Sequence, residues 1–147
     1  KILLKKNFNK FLIIRLPEVV GKSINNNTLL NFFFDKIKRE EKFDLWADAN
    51  RNIIDIDDVV KILIDFLTNN KSIVNKTINI ANPKMSTAYH AVKILENITQ
   101  TKAIYNTISK GAKNWNIDTS DINDSIKRCD VNFGENYLES LLKKYFN

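Results

Sequence analysis

Few side chains in this sequence have the type and spacing that chemistry needs. Tyr89-His90-Ala91-Val92-Lys93 fits Y-x-x-x-K, in which a lysine one helical turn from a tyrosine lowers the phenol's pKa for proton transfer. Against that, four tyrosines in a lysine-rich chain make such a pair a common coincidence. The helical pattern also turns Ala88, Ala91, Val92 and Leu95 inward, which leaves Tyr89 and Lys93 on the outer face. We read the pair, and His90 within it, as surface residues and assign no catalytic residue. A single histidine and a single cysteine, Cys129, provide neither a metal-ligand cluster nor a triad. Gly21, Gly111 and Gly134 cannot be written as a G-x-G-x-x-G turn, and no Walker motif occurs. Without that turn a backbone cannot approach a pyrophosphate closely, so no dinucleotide is expected to bind this chain alone.

Composition narrows the classes further. At 147 residues and 44% hydrophobic content the chain suits one compact core. Two prolines, three glycines and no Ser/Gly-rich run leave no long linker. The longest apolar stretches, Phe11 to Ile14 and Val59 to Leu67, fall far short of the roughly 20 residues that cross a bilayer, so no membrane association is expected. A lone cysteine forms no intrachain disulfide, and a reducing, cytoplasmic setting fits. No signal-like segment opens the chain, whose first residue is Lys1; a piece of something longer is expected. The net charge of +6 raises nucleic acid as a partner. The lysines are spread evenly, however, and Lys36 to Lys42 alternates sign as a solvated helix face does, which disfavours nucleic acid.

The elements that must position any site follow from periodicity. Phe11-Leu12-Ile13-Ile14 is a continuous apolar run suited to a parallel strand covered on both faces, ended by Pro17. Lys1 to Lys6 reads as the last turn of a helix. Thr28 caps a helix from Leu29 to about Arg39, with Leu29, Leu30, Phe33 and Ile37 on one stripe. A short strand from Phe43 to Trp46 follows. Asp57 or Asp58 caps a helix running through Leu67, apolar nearly all round and therefore expected to be largely buried. Thr77 to Ile80 is a strand, Ser86 caps the helix carrying Ala88 to Ile98, and Leu138, Leu141, Leu142 and Tyr145 mark a final helix. The class is α/β, read as a single domain over 1–147.

Three blocks carry a resemblance. Ile14-Arg15-Leu16-Pro17-Glu18-Val19-Val20-Gly21 resembles the R-x-x-N-V-Y-G segment of extended short-chain dehydrogenases/reductases, the NAD-dependent epimerase/dehydratase family. Arg51-Asn52-Ile53-Ile54-Asp55-Ile56-Asp57-Asp58-Val59 resembles its R-D-F-I-x-V-x-D-V segment, and Thr77-Ile78-Asn79-Ile80-Ala81-Asn82 its Y-N-I-A strand.

The resemblance implies the C-terminal portion of a Rossmann-type NAD(P)-binding fold with its smaller substrate-binding lobe. In the family the glycine-rich turn and the catalytic Y-x-x-x-K lie upstream of the strand at Phe11. The parent is then an NAD(P)-dependent nucleotide-sugar epimerase, dehydratase or reductase, expected to act in polysaccharide biosynthesis as a homo-oligomer, a dimer by preference. Substrate contacts are expected at Pro17, Glu18, Val19 and Gly21, because ligands sit beyond the carboxyl ends of strands in open α/β sheets, and the resemblance adds Arg51. Where the family has an asparagine this chain has Glu18, an acceptor that repels a diphosphate when ionised. Arg51 corresponds to an arginine that grips a substrate phosphate; the alternative is a salt bridge to Asp48 or Asp55. Asp58 is expected to cap its helix. The rival function is a standalone interaction module, either a basic nucleic-acid binder or a remnant that pairs with a partner chain.

Overall fold

The computed structural model describes residues 11–22, 28–70, 75–111 and 115–147. The helix end expected at Lys1 to Lys6 lies outside them. The apolar run forms β1 (Leu12–Arg15), which pairs in parallel with β6 (Lys76–Asn79), Ile14 opposite Ile78. Among the described strands β6 is its one neighbour. Leu12, Ile13 and Ile14 are consequently half-buried, not covered on both faces as the run predicted.

Beyond Pro17 the chain does not run into a free loop. Glu18–Val20 forms β2, parallel to β5 (Ile53–Asp55), with Val20 opposite Asp55. β3 (Phe43–Leu45) pairs in parallel with β8 (Tyr105–Thr107), and β4 (Asn50–Arg51) antiparallel with β7 (Ser86–Thr87).

Helix α1 (Leu29–Lys38) begins where Thr28 accepts the Asn31 amide at 3.4 Å, and it buries Leu30, Phe33 and Ile37. These meet Phe43 and Leu45 of β3, the inner face of α3 (Ala88–Thr99) and Leu138, Leu141 and Leu142 of α5 (Tyr137–Phe146) in one apolar cluster. Thr87, not Ser86, caps α3, accepting the His90 amide at 3.1 Å. Ser86 is instead part of β7.

Helix α2 (Ile56–Asn69) builds the second cluster. Val59, Ile62 and Phe66 pack on Ile54, Ile78 and Ile80, with Ile122 and Phe133 closing the other side. Burying side chains of this size contributes about 1.5–3 kcal/mol each. Its N-cap is Asp55, which accepts the Asp57 amide at 2.9 Å. β5 passes into α2 without a loop, so the last strand residue is already in the extended conformation a cap requires. Asp57 and Asp58 fall in the first turn, where negative charge suits the helix dipole. The helix is also less buried than its composition predicted. Val60, Ile64 and Leu67 are 47%, 60% and 48% exposed, because one face alone meets the sheet.

Helix α5 is fastened to the β5–α2 corner by polar contacts. Tyr137 donates to Asp58 at 2.7 Å and accepts the Asp55 amide at 2.9 Å. Lys144 reaches Asp55 and Asp57, both at 2.7 Å, and Tyr145 donates to Asp55 at 2.9 Å. A short 3-10 turn (Ser120–Ile122) and α4 (Asn123–Arg128) complete the described chain.

Candidate functional site

Arg51 occupies a two-residue strand that could not hold its place alone. The Ala88 amide donates to Ala49 and the Tyr89 amide to Ala47, binding the segment before Arg51 to the first turn of α3. After it, the buried side chain of Asn52 donates to the Asn82 carbonyl at 2.7 Å and accepts the Asn82 amide at 3.1 Å. Asn82 in turn donates to the Ile53 carbonyl at 3.3 Å. Every polar atom buried in this corner that finds a partner avoids a desolvation cost of about 1–3 kcal/mol. The backbone on both sides of Arg51 is thereby fixed.

The guanidinium lies between two grooves. One, of about 230 Å³, is lined by Phe32, Phe33, Asp44, Trp46 and Arg51. Its aromatic wall is ordered by contacts within the first cluster, Phe32 meeting the edge of Phe43 at 5.9 Å. Trp46 and Phe32 are 43% and 39% exposed, large apolar surfaces left open to a ligand. The other groove, of about 290 Å³, is lined by Leu16, Pro17, Glu18, Arg51, Asn52 and Trp115. Arg51 Nε is buried and has no hydrogen-bond partner. Of the two carboxylates the sequence offered it, Asp55 is engaged by Lys144 and Tyr145.

Glu18 comes to the same groove from β2, its amide donating to the Asn52 carbonyl at 3.1 Å. Its Oε1 is buried without a partner. Burial pushes the carboxyl above the usual range, against the opposing pull of the Arg51 charge and a hydrogen bond from the Leu30 amide.

The five residues expected to contact substrate therefore divide. Pro17, Glu18 and Arg51 share a groove. Glu18 also lines a smaller groove with Val19 and Gly21 at the start of α1. Gly21 is a packing glycine: a Cβ there would lie 2.6 Å from Ile56 Cγ2. Sequence reasoning missed Trp46, Phe32, Trp115 and Asn52. Two exposed tryptophans in so polar a chain were the available signal, but their convergence on Arg51 depends on the fold.

Tyr89 is exposed, and Lys93 lies 5.2 Å above its ring. The same ammonium donates at 2.8 Å to Glu96, a bond that favours its charged form and moves its pKa upward despite desolvation. His90 is exposed. Among the described residues no three His, Cys, Asp or Glu side chains are grouped to hold a metal ion. Nor is any helix among them long and apolar enough to cross a membrane.

The glycines test the fit of a dinucleotide. The space a Cβ would take is filled by Ile56 at Gly21, by Ala49 at Gly111 and by the Asn132 side chain at Gly134. At none of the three is there open space of the kind a glycine leaves for a closely approaching pyrophosphate.

The parallel strand pairs and the helices packed on them are those of a Rossmann-type fold, shared with solved nucleotide-sugar epimerases of which this chain spans about half. The solved structures it matches give that fold its particulars. The UDP-glucuronic acid 4-epimerase from Bacillus cereus, in complex with UDP-glucuronic acid and NAD, superposes with a TM-score of 0.76 at 17% identity. The match covers 99% of this chain and 46% of that one. The UDP-glucose 4-epimerase from Thermotoga maritima, with UDP-glucose, gives 0.70 at 19% identity over 99% and 48% of the two chains. The UDP-N-acetylglucosamine 4-epimerase from Methanobrevibacter ruminantium M1, in complex with UDP-N-acetylmuramic acid, gives 0.70 at 17% over the same shares. The chain thus spans about half the length of the structures it matches. No protein-family model matches it, and no curated protein matches it significantly.

Proposed function

We propose that this chain is the C-terminal, substrate-binding part of an NAD(P)-dependent enzyme that epimerises, dehydrates or reduces a nucleotide-linked sugar. The observation that carries this reading is Arg51: an arginine on a fixed strand, its Nε unpartnered, that lines both an aromatic cleft and the groove holding Glu18. A planar five-donor fork suits a diphosphate. The base stacks in the cleft against Trp46 and Phe32, Arg51 holds the diphosphate, and the sugar extends past Pro17, Glu18 and Trp115. Cofactor and catalytic groups belong to the remainder of the fold.

Two surface features support a docking face for that remainder. β1 has one neighbour among the described strands, and the exposed side of α2 presents Ile56, Val60, Ile64 and Leu67. An open strand edge beside an apolar stripe suits the rest of a doubly wound sheet. The matched structures are about twice as long, which is the length such a half requires. A cytoplasmic homo-oligomer serving polysaccharide synthesis is the setting we assign to the parent enzyme.

The test is calorimetric titration with UDP-glucose of the chain and of Arg51→Ala, with an oligonucleotide at two salt concentrations as the control ligand. Loss of a charge-assisted phosphate contact weakens UDP-glucose binding by about 1.5–3 kcal/mol. Equal affinity of the two proteins sinks the assignment. Salt-sensitive oligonucleotide binding without UDP-glucose binding favours a nucleic-acid module instead.

A further inference from the structure

Glu18 is an acid where a neutral donor would suit a diphosphate ligand better. Its surroundings leave it little to lean on. Across the second groove it faces the Arg51 guanidinium of β4. The other elements against it present uncharged groups: Asn52 between β4 and β5, Thr28 and Asn31 at the start of α1, Phe146 at the end of α5, and Trp115. Among the described residues that line these grooves, Arg51 is the one charge Glu18 meets. One carboxylate oxygen accepts the Leu30 amide, while Oε1 is buried and unpartnered.

A phosphate seated on Arg51 cancels the charge that favours ionised Glu18 and brings negative charge to the same groove. Both changes favour the neutral acid. We propose that Glu18 takes up a proton when a nucleotide-linked diphosphate binds Arg51. The proposal rests on the reading of Arg51 given above. No covalent step is involved; the proton comes from solvent and returns to it when the ligand leaves. Burial already holds the free carboxyl above its ordinary range, so the uptake starts from a group biased toward protonation. The single histidine, His90, lines a different groove with Asn82 and Tyr137 and is not part of this exchange.

Calorimetry of the full chain with UDP-glucose, in PIPES and in imidazole buffer from mildly acidic to mildly alkaline pH, reads the proton directly. The phosphodiester groups of UDP-glucose do not titrate there. The expected result is uptake approaching one proton per ligand, with affinity falling by about tenfold per pH unit once Glu18 must be protonated to bind. Glu18→Gln keeps a donor without an ionisation, and is expected to bind with neither a buffer-dependent heat nor a pH slope. Binding by the unsubstituted chain with equal affinity across the range and equal heat in both buffers overturns the proposal while leaving Arg51's role intact. A slope that persists in Glu18→Gln also overturns it. No UDP-glucose binding at any pH by a chain whose circular dichroism shows it folded overturns the reading of Arg51, and the proposal with it.

Discussion

Asn52 and Asn82 are bound to each other from both directions, the Asn52 amide group donating to the Asn82 carbonyl at 2.7 Å while the Asn82 N–H donates back at 3.1 Å. Both residues are buried, 2% and 7% exposed. A side chain that satisfies a neighbouring backbone from both sides fixes the separation of the two segments as a peptide group would. Here it ties the end of β4, and with it Arg51, to the loop that follows β6.

Replacing Asn52 by Ala leaves the Asn82 amide and carbonyl buried without partners. The expected loss is about 1–3 kcal/mol for a group so stranded, read as a lower urea midpoint. UDP-glucose affinity is expected to fall as well, because Arg51 is the next residue. A midpoint unchanged from the starting protein rules out a structural role for the pair.

The two carboxylates at the β5–α2 corner should separate under substitution. Asp55 caps α2 and also accepts from Lys144 and Tyr145, whereas Asp57 is exposed and contacts Lys144. Asp55→Ala is expected to cost at least the 0.5–2 kcal/mol, roughly, of a lost cap. Asp57→Ala is expected to cost about 0–1 kcal/mol, the range of an exposed ion pair. Denaturant titration of both variants checks the order, and the reverse order would return the cap to Asp57.

The exposed stripe of α2 gives a third contrast. Ile62 is fully buried and Ile64 is 60% exposed. Ile62→Ala is expected to destabilise by about 2–5 kcal/mol and Ile64→Ala by less than about 0.5 kcal/mol. If Ile64 is covered by the remaining half of the fold, its substitution in the longer protein costs more than in this chain. Thermal or urea melts of the five proteins, the chain with its two variants and the longer protein with its Ile64→Ala variant, measure both differences.

Acid should weaken the joint between α2 and α4. Arg128 holds Asp65 by two N–H groups, with the shortest contact at 2.7 Å, and the Arg128 and Ser125 hydrogen bonds lower the Asp65 pKa from 3.8 to about 2. A carboxyl whose folded pKa is depressed contributes stability that is present above its unfolded value and lost as pH falls toward the folded one. The contribution is therefore full above about pH 4 and fades toward about pH 2. Arg128→Ala is expected to return the Asp65 titration, followed by carboxyl NMR shifts, toward 3.8 and to flatten that part of the acid unfolding curve.

Much of the framework was legible in the residues because it rests on local rules. Thr28 followed by the Leu30, Phe33 and Ile37 stripe could be read as a capped amphipathic helix, since a β-region hydroxyl and a 3.6-residue period act within one turn. The inward face of α3 was fixed in the same way, and it turned Tyr89 and Lys93 outward. The resemblance at Arg15 and Arg51 anticipated the epimerase fold that the solved structures share. Contacts between distant segments were beyond such rules. Asp55 capped α2 because β5 enters the helix directly, and a helix expected to be largely buried is half-buried because one face alone meets a sheet.

The sequence by itself determined the class of the fold, the helices and their buried faces, and the lack of a glycine-rich cradle, all consequences of period, capping chemistry and residue type. Only the tertiary structure decided that Glu18 and Arg51 face one groove, that Trp46 and Phe32 line another, and that Asn52 locks the strand between them. Glu18 and Phe32 are far in the chain from the Trp46 to Asn52 segment, and their meeting depends on which strands pair and which helix faces pack, choices made by the whole core and written in no single segment.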